Sequence, residues 1–192
     1  MKIHLLAVLF LIPVLFAQDA KFERVGTSPV ETRLAPGGQI RMDLCSSGIE
    51  LVGVDEGKLR VSYEPERGDV KVRVEVSGNR ASLSVTDCPR NNFRVTIEVP
   101  KSSDLYVRMF AGELNVRDIT GDKDIELHFG RLNMDVGSAE KYGHVEASVN
   151  SGALQASAFG VSKGGLFRSF DQNGPGNYRL YAHVGAGELD LR

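Results

Sequence analysis

The stretch Gly160-Val161-Ser162-Lys163-Gly164 has the Gly-x-Ser-x-Gly spacing of a hydrolase nucleophile. Asp171 and His183 follow it in the order in which α/β-hydrolases carry their acid and base. In those enzymes the serine stands on a strained turn between a strand and a helix. Here Gly164 and Gly165 follow the serine, and glycine pairs disfavour a helix. We therefore predict a glycine-rich loop and no catalytic residue.

A second catalytic spacing occurs at Ser138-Ala139-Glu140-Lys141, which matches the Ser-x-x-Lys of β-lactamases and penicillin-binding proteins. The companion Ser-Asp-Asn and Lys-Thr-Gly elements of those enzymes are missing from the sequence. The segment is therefore predicted to be a connection between two strands.

Carboxylates and imidazoles are the remaining groups that could bind a cation. Asp122, Asp124 and Glu126 alternate, so on a strand they would share one face, and calcium prefers such oxygen ligands. The glycine-aspartate nonapeptide of calcium-binding β-rolls does not recur, and Lys123 stands among the carboxylates as a partial counter-charge. Three histidines follow at dissimilar positions, namely His128, His144 and His183. We predict neither a metal site nor a cofactor.

The N-terminus has the composition of a secretory signal peptide. Lys2 supplies positive charge, and the apolar run 3–16 is shorter than the roughly 20 residues that a bilayer requires. We predict a signal peptide over residues 1–17 with cleavage after Ala17, or alternatively after Ala20; a retained anchor is the other interpretation. The protein is thus expected to be exported, to the periplasm or to the extracellular space and cell surface, with no membrane span after cleavage.

The overall composition fits one exported domain. The 192 residues include 23 basic and 25 acidic side chains, a net charge of −2, which gives no electrostatic reason to expect nucleic acid as a partner. The 21 glycines favour many tight turns. Cys45 and Cys88 are predicted to form a disulfide in an oxidising compartment, the alternative being two free thiols.

Strand patterns follow a polar lead-in at residues 18–36, which is predicted to hold one edge strand. From Gln39 onward apolar and polar residues alternate, most clearly at 70–76 and 93–99. The turn at 77–80 joins two such runs into a hairpin. Residues 37–192 are therefore predicted to form a single all-β domain with an antiparallel N-terminal portion.

The second half contains a degenerate internal repeat. Aligned on a glycine, leucine follows two positions later, and apolar residues also stand three and five positions earlier. The glycines are Gly112, Gly130, Gly152 and Gly187, and the leucines are Leu114, Leu132, Leu154 and Leu189. A strand with one apolar face can bury it when identical units stack. We predict a single-stranded β-solenoid of parallel coils, with these leucines as core columns.

Charges beside the glycines indicate that consecutive coils stack in register. In the first two coils, Glu113 would face Arg131 and Arg117 would face Asp135. Because the sequence ends at Arg192, directly after a repeat strand, the last coil is expected to lack a C-terminal tail as its cover, so that either the insertion loop or another protein would cover it. An open solenoid end of this kind would permit self-association.

An insertion at residues 160–176 interrupts the last repeat interval. It provides the candidate contact loop, because exposed aromatics beside arginine are typical of contact surfaces. The residues concerned are Phe167, Arg168, Phe170 and Asp171. Alternatively, the two phenylalanines cover the end of the core.

The repeat units resemble those of the bacterial putative-adhesin domain family of unknown function. The resemblance is carried by Ala111-Gly112-Glu113-Leu114-Asn115-Val116, Ser151-Gly152-Ala153-Leu154 and Ala186-Gly187-Glu188-Leu189-Asp190-Leu191. It covers nearly all of the mature chain and implies an exported single-stranded β-solenoid without an established active site. Phe129-Gly130-Arg131 departs from the family, which usually has small and acidic residues around this glycine.

These features together predict a non-enzymatic envelope or extracellular module with a binding or structural role. Its partner would be an envelope protein or a glycan that meets the outer faces or the end of the solenoid. The alternatives are a β-helix carbohydrate-active enzyme, which would need paired carboxylates beside a groove, and a partner in envelope assembly or stress signalling.

Overall fold

The computed structural model describes residues 19–89 and 91–192. The predicted signal peptide and its cleavage after Ala17 lie outside these residues. The described chain forms 13 strands in one mixed sheet, so the predicted all-β class is confirmed. No helical segment in this part of the chain has the length and apolar character of a membrane span.

The strands are, in chain order, β1 (Ala20–Val25), β2 (Val30–Arg33), β3 (Gln39–Leu44), β4 (Ser47–Val54), β5 (Lys58–Glu64), β6 (Lys71–Ser77), β7 (Arg80–Thr86), β8 (Arg94–Pro100), β9 (Asp104–Arg117), β10 (Lys123–Met134), β11 (Tyr142–Ala156), β12 (Val161–Asn173) and β13 (Tyr178–Leu191). Two short 3₁₀ turns, Ala139–Lys141 and Ser157–Phe159, precede β11 and β12. The Ser-x-x-Lys segment therefore lies in the connection between β10 and β11.

Alternation of apolar and polar side chains makes these segments strands. In β3 and β6 every second side chain is buried, so one face packs into the core and the other meets water. The buried side chains of both halves of the chain form one continuous hydrophobic cluster.

The N-terminal portion is mixed rather than antiparallel throughout. β6 and β7 form the predicted hairpin, but β3 pairs with β7 and β4 pairs with β8 in parallel. The lead-in holds two strands instead of one, since β1 pairs with β6 and β2 with β5. Neither is evident in the sequence, because these edge strands expose most of their side chains and bury only Val30 fully.

The predicted disulfide is present between Cys45 and Cys88, with Cα atoms 5.9 Å apart. Cys45 lies between β3 and β4, and Cys88 follows β7. The bond therefore ties the end of the hairpin to the junction where the chain passes from β3 into β4.

The C-terminal half forms a parallel stack. β9, β10, β13 and β11 lie side by side in register, and β9 joins them to the N-terminal portion by pairing with β3 and β4. The aligned leucines form one fully buried row across the four strands, in the order Leu114, Leu132, Leu189 and Leu154.

The order of strands in this stack differs from their order in the sequence. β13 lies between β10 and β11, whereas a single-stranded solenoid would place each coil on the preceding one. The cause is the insertion, which forms β12 and runs antiparallel along the far edge of β11. The chain then crosses the start of β11, where the N–H of Asn177 donates to the carbonyl of Lys141, and returns beside β10.

The predicted register of the first two coils is present, because Arg131 lies directly opposite Glu113. Arg131 nevertheless forms its ion pair with Glu188, on its other side. Arg117 contacts Glu50 of β4 instead of Asp135.

The expectation that the last coil lacks a cover is wrong, because β13 is flanked by β10 and β11. The free edge of the stack belongs to β12.

Each long parallel strand bends at its aligned glycine. Gly112, Gly130, Gly152 and Gly187 have φ angles between +128° and +143°, which side chains with a Cβ atom rarely adopt. A Cβ atom on Gly130 would also overlap the carbonyl oxygen of Gly112, and the same overlap recurs along the column. The corner therefore requires glycine for both its conformation and its close backbone approach.

Candidate binding surface

Most of the exposed large apolar side chains lie on strands at the glycine corner. In the described part of the chain these are Val25, Phe110, Phe129, Leu166 and Phe167. The register places Phe129 beside Ala186, Ala186 beside Ser151, and Ser151 beside Leu166. All but Val25 therefore lie in one row across β9, β10, β13, β11 and β12. We call this row, residues 110–111, 128–129, 185–186, 150–151 and 166–167, the corner row.

Two phenylalanines form an aromatic cluster at the β9 end of the corner row. Phe110 is 62% exposed and Phe129 is 51% exposed, and their ring centroids lie 5.4 Å apart in an edge-to-face arrangement. The ring of His128 lies 5.7 Å from that of Phe110. Clustered, exposed aromatic side chains are typical of surfaces that contact another molecule.

Small side chains separate this cluster from the apolar residues of β12. β13 contributes Gly185 and Ala186, and β11 contributes Ser151. A Cβ atom on Gly185 would overlap the carbonyl oxygen of His128, so a larger residue does not fit there. With about 4.8 Å between neighbouring strands, the corner row extends over about 19 Å. The corner row thus has aromatic side chains at one end, small side chains in the middle and large apolar side chains at the other end.

An open groove of about 1220 Å³ adjoins Phe110. It forms where β9 changes partner, because β9 pairs with β3 up to Met109 and with β4 from Gly112. The backbone between these two residues lies outside both ladders. We call this space the corner groove; its lining segments are 46–48, 64–65, 92–94 and 110–113.

The corner groove combines hydrogen-bond donors and acceptors. Its exposed polar side chains include Glu64, Asn92, Arg94 and Glu113. Carboxylates accept hydrogen bonds, a guanidinium donates them, and an amide does both. Two carboxylates and one guanidinium leave the lining close to neutral, with a small negative excess. The groove is therefore suited to a polar ligand with little charge.

The predicted contact loop is a strand whose phenylalanines lie in different environments. Residues 161–173 pair with β11 over nearly their whole length, which makes them an edge strand. Phe167 is 81% exposed and belongs to the corner row. Phe170 is buried, with its ring centroid 5.7 Å from that of Phe159, and it covers the end of the core.

The two charged residues predicted for that loop make local contacts. Arg168 Nε donates to the carbonyl of Gly164 at 2.7 Å. Asp171 Oδ1 lies 3.6 Å from Nδ1 of His144. The four predicted contact residues therefore do not form one surface, and only Phe167 joins the candidate binding surface.

The hydrolase-like residues do not assemble as their spacing in the sequence proposed. Ser162 lies in β12, while Nδ1 of His183 in β13 lies 2.8 Å from Oγ of Ser148. Glu126 is the other register neighbour of His183, so a carboxylate, an imidazole and a hydroxyl follow one another across three strands. This is the composition of a hydrolytic triad.

Two further contacts argue against hydrolysis by this line of residues. Glu126 Oε2 is bound by Nε of Arg108 at 3.1 Å, which occupies the carboxylate. Ser148 lies between paired neighbours on both sides, so the nearby backbone N–H groups serve the ladders and do not form an oxyanion hole. We interpret the Ser148–His183 contact as a surface hydrogen bond.

The acidic cluster is neutralised by arginines. Arg108 contacts Asp124 at 2.9 Å as well as Glu126, and Arg179 contacts Asp122 at 3.2 Å. Within residues 19–89 and 91–192, no group of three or more histidine, cysteine, aspartate or glutamate side chains could hold a metal ion.

Lys123 points into the core and is not part of that surface cluster. It lies in register with Leu105 and Leu180 and is 2% exposed, and its Nζ donates to Oη of Tyr142 at 2.8 Å and to the carbonyl of Gly121 at 3.2 Å. Burial lowers the pKa of Lys123 to about 8 and raises the pKa of Tyr142 to about 12. The alternation that places the neighbouring carboxylates outside requires this lysine to point inward.

The sequence pattern did not place Phe110 and Phe129 in the candidate binding surface. Phe129 stood out only as a departure from the pattern of the family that the repeat units resemble. Their position in the repeat is the feature that could have identified them. Both residues shortly precede a corner glycine and lie outside the predicted inward columns, so a large apolar side chain at either position is not expected to reach the core. Their convergence with β12 depends on the strand order, which the sequence pattern does not contain.

Two solved structures align with most of this chain. A putative cell adhesion protein from Clostridium sporogenes ATCC 15579 aligns over 90% of this chain and 99% of its own, with 14% identity and a TM-score of 0.53. A putative adhesin from Bacteroides fragilis NCTC 9343 aligns over 90% of this chain and 98% of its own, with 10% identity and a TM-score of 0.37. Neither a protein-family model nor a curated protein matches the chain. The chain is thus similar in fold to the Clostridium sporogenes protein.

Proposed function

We propose that this protein is an exported, non-enzymatic binding module of the cell envelope or the extracellular space, which contacts its partner through the corner row. One observation carries the proposal: of the five large apolar side chains exposed in the described residues, four lie along a single corner. Exposed large apolar side chains are unfavourable in water, so their concentration at one corner of a folded domain supports an interaction site there.

Export is supported by two independent features. The N-terminal sequence has the charge and the apolar length of a signal peptide. The Cys45–Cys88 disulfide is typical of proteins that fold in an oxidising compartment. The name of the Clostridium sporogenes protein, which refers to cell adhesion, agrees with a binding role at the cell surface.

A non-enzymatic role is supported by the ion pairs in which arginines hold the carboxylates of the outer faces. Arg108 binds two of the carboxylates of β10, and Arg179 binds the carboxylate that precedes this strand. A glycosidase needs one carboxyl group as an acid and a second as a base or nucleophile, both free to act on the substrate. Groups held in ion pairs are poorly suited to that exchange of protons.

The proposal is tested by measuring the binding of the exported protein to envelope preparations from the cells that produce it. Two double variants alter the ends of the corner row: Phe110→Ala with Phe129→Ala, and Leu166→Ala with Phe167→Ala. Each should weaken binding roughly tenfold or more, because apolar anchors dominate contact energies. Val25→Ala is the matched control, since Val25 is 49% exposed but lies on β1, away from the corner.

Two results would contradict the proposal. One is unchanged envelope binding by both double variants, with thermal denaturation showing that they are folded. The other is turnover, detected as reducing ends released from envelope polysaccharide by the wild-type protein, which would favour a carbohydrate-active enzyme.

A further inference from the structure

We propose that the corner groove binds a neutral polysaccharide chain, with the ring of Phe110, which lines the groove, stacked against a sugar ring. This inference rests on the proposed function and deepens it by naming the class of ligand. It follows from the aromatic cluster, from the polar groups of the groove, and from the pairing of the strands that line it.

The aromatic cluster offers open ring faces. In an edge-to-face pair, each ring keeps at least one face directed away from the other, and both residues are more than half exposed. The face of an aromatic ring carries negative electrostatic potential. Sugar rings present faces of C–H groups with slight positive charge, so a sugar ring can stack on Phe110 with both apolar and electrostatic attraction.

The polar lining of the groove matches hydroxyl groups. Each hydroxyl donates one hydrogen bond and accepts up to two, so a polyhydroxylated ligand needs donors and acceptors together. Glu64 and Glu113 supply acceptors, Arg94 supplies donors, and Asn92 supplies both, within the same groove as the ring of Phe110. An apolar peptide helix would leave these groups without partners, at a cost in free energy for each one buried.

The size of the groove indicates a chain of several sugar units. Pockets for small molecules usually measure about 300–1,000 Å³ and enclose most of the ligand. The corner groove exceeds that range, at about 1220 Å³, and is open to solvent. A single sugar would leave most of it unfilled, whereas a chain of several units can occupy it and extend into solvent.

The strands that line the groove do not favour a peptide that adds to the sheet. Addition of a strand requires a free edge. β4 is paired on both sides, by β8 and β9, and β8 is paired by β4 and β5. The excess of carboxylate over guanidinium also disfavours a polyanion such as nucleic acid or an acidic polysaccharide. A neutral glycan satisfies both restrictions.

Calorimetric titration of the exported protein with defined tetrasaccharides tests the ligand class. The probes are fragments of β-1,4-glucan and α-1,6-mannan, whose sugar units carry vicinal diols, with tetragalacturonate as the acidic comparison. We expect at least one neutral fragment to bind, and Phe110→Leu to weaken it about tenfold because leucine keeps the apolar volume but lacks a ring face. Phe110→Tyr should bind within about twofold of the wild type.

The polar contacts are tested in the same titrations. Arg94→Gln should weaken binding about fivefold through the loss of donors, while Arg33→Gln, at an exposed arginine on β2, should have no effect. Failure of every neutral fragment to bind, tighter binding of tetragalacturonate, or indifference of binding to Phe110→Leu would overturn the inference.

A second arm separates this inference from the proposed function. Envelope preparations are treated either with protease or with periodate, which cleaves the vicinal diols of sugars. Binding that survives protease and is lost after periodate supports a glycan ligand. Binding that survives periodate and is lost after protease overturns the glycan and leaves the binding function intact. No binding to untreated envelopes overturns both.

Discussion

Arg131 binds Glu188 at 3.0 Å although the two residues are 57 positions apart in the chain. The contact joins β10 to β13, the final strand. In a sequential solenoid, β11 would occupy the position beside β10 that β13 occupies here. The centre of the stack is therefore filled last in sequence order. The loop-closure cost of such a pairing grows with the logarithm of the separation, and proteins dominated by non-local pairings fold slowly.

This strand order predicts which engineered cysteines can be joined. Arg131→Cys and Glu188→Cys replace directly opposed residues of neighbouring strands, so their Cα atoms fall in the range that a disulfide spans, about 4.4–6.8 Å. We expect a new intramolecular bond, detected by peptide mass spectrometry of the oxidised protein. Arg131→Cys with Ala153→Cys, the pair that a sequential solenoid would join, should remain reduced because β13 lies between them. The opposite pattern would refute the strand order.

The corner glycines predict a strong position dependence of alanine substitution. Gly130→Ala places a methyl group against the carbonyl of Gly112 and forces alanine to φ near +128°, which should lower the free energy of unfolding by about 3 kcal/mol or more. Gly164→Ala is the matched control, because open space surrounds Gly164 and its φ is not in the left-handed region. Urea denaturation measures both, and equal effects would contradict this account of the corner.

The buried Lys123 predicts that stability increases with pH in the alkaline range. Its pKa is lowered to about 8 in the folded protein from 10.5, because burial disfavours the charged form. Below pH 8 both the folded and the unfolded protein carry the proton, so the full cost of the buried charge, about 3 kcal/mol, is present. Between pH 8 and 10.5 the unfolded state binds more protons than the folded state, and stability therefore rises with pH.

Lys123→Met tests this dependence. The variant should be more stable than the wild type at pH 7 by about 1–2 kcal/mol. Removal of the buried charge stabilises the fold, and the loss of the hydrogen bond to Oη of Tyr142 offsets part of that gain. The difference between the two proteins should shrink as the pH rises from 8 to 10. Chemical denaturation at several pH values measures it, with Lys21→Met at an exposed lysine as the control. A difference that is constant over this range would contradict the assignment.

Loss of the disulfide is expected to lower the stability of the protein and to loosen the backbone that lines the corner groove. Cys45 and Cys88 close a loop with a sequence separation of 43, for which chain entropy gives about 4 kcal/mol as an upper figure. The double substitution Cys45→Ser with Cys88→Ser should lower the melting temperature accordingly. Hydrogen exchange should increase first at Ser46 and Ser47, which follow Cys45 and line the groove. Unchanged exchange there would show that the groove does not depend on the bond.

The alternation of apolar and polar residues was sufficient to predict the half-buried strands. It did not reveal the strands whose side chains are mostly exposed. β6 and β7 could be recognised because each alternates cleanly, with buried side chains at every second position. β1 and β2 could not, since their partners supply the apolar contacts. The aligned leucines were identifiable because each repeat unit must bury the same face. Their order in the stack was not, because Leu154 and Leu189 are equivalent by pattern and either could have lain beside Leu132.

By itself the sequence determined which residues face inward, where the strands bend and which cysteines pair, because these follow from alternation, from the backbone freedom of glycine and from the presence of only two thiols. The tertiary structure decided that β13 enters between β10 and β11. That choice depends on β12 folding back along β11, a long-range pairing without a local signature. The same choice brings Phe129 and Leu166 to opposite ends of one row, so the candidate binding surface exists only in the folded arrangement.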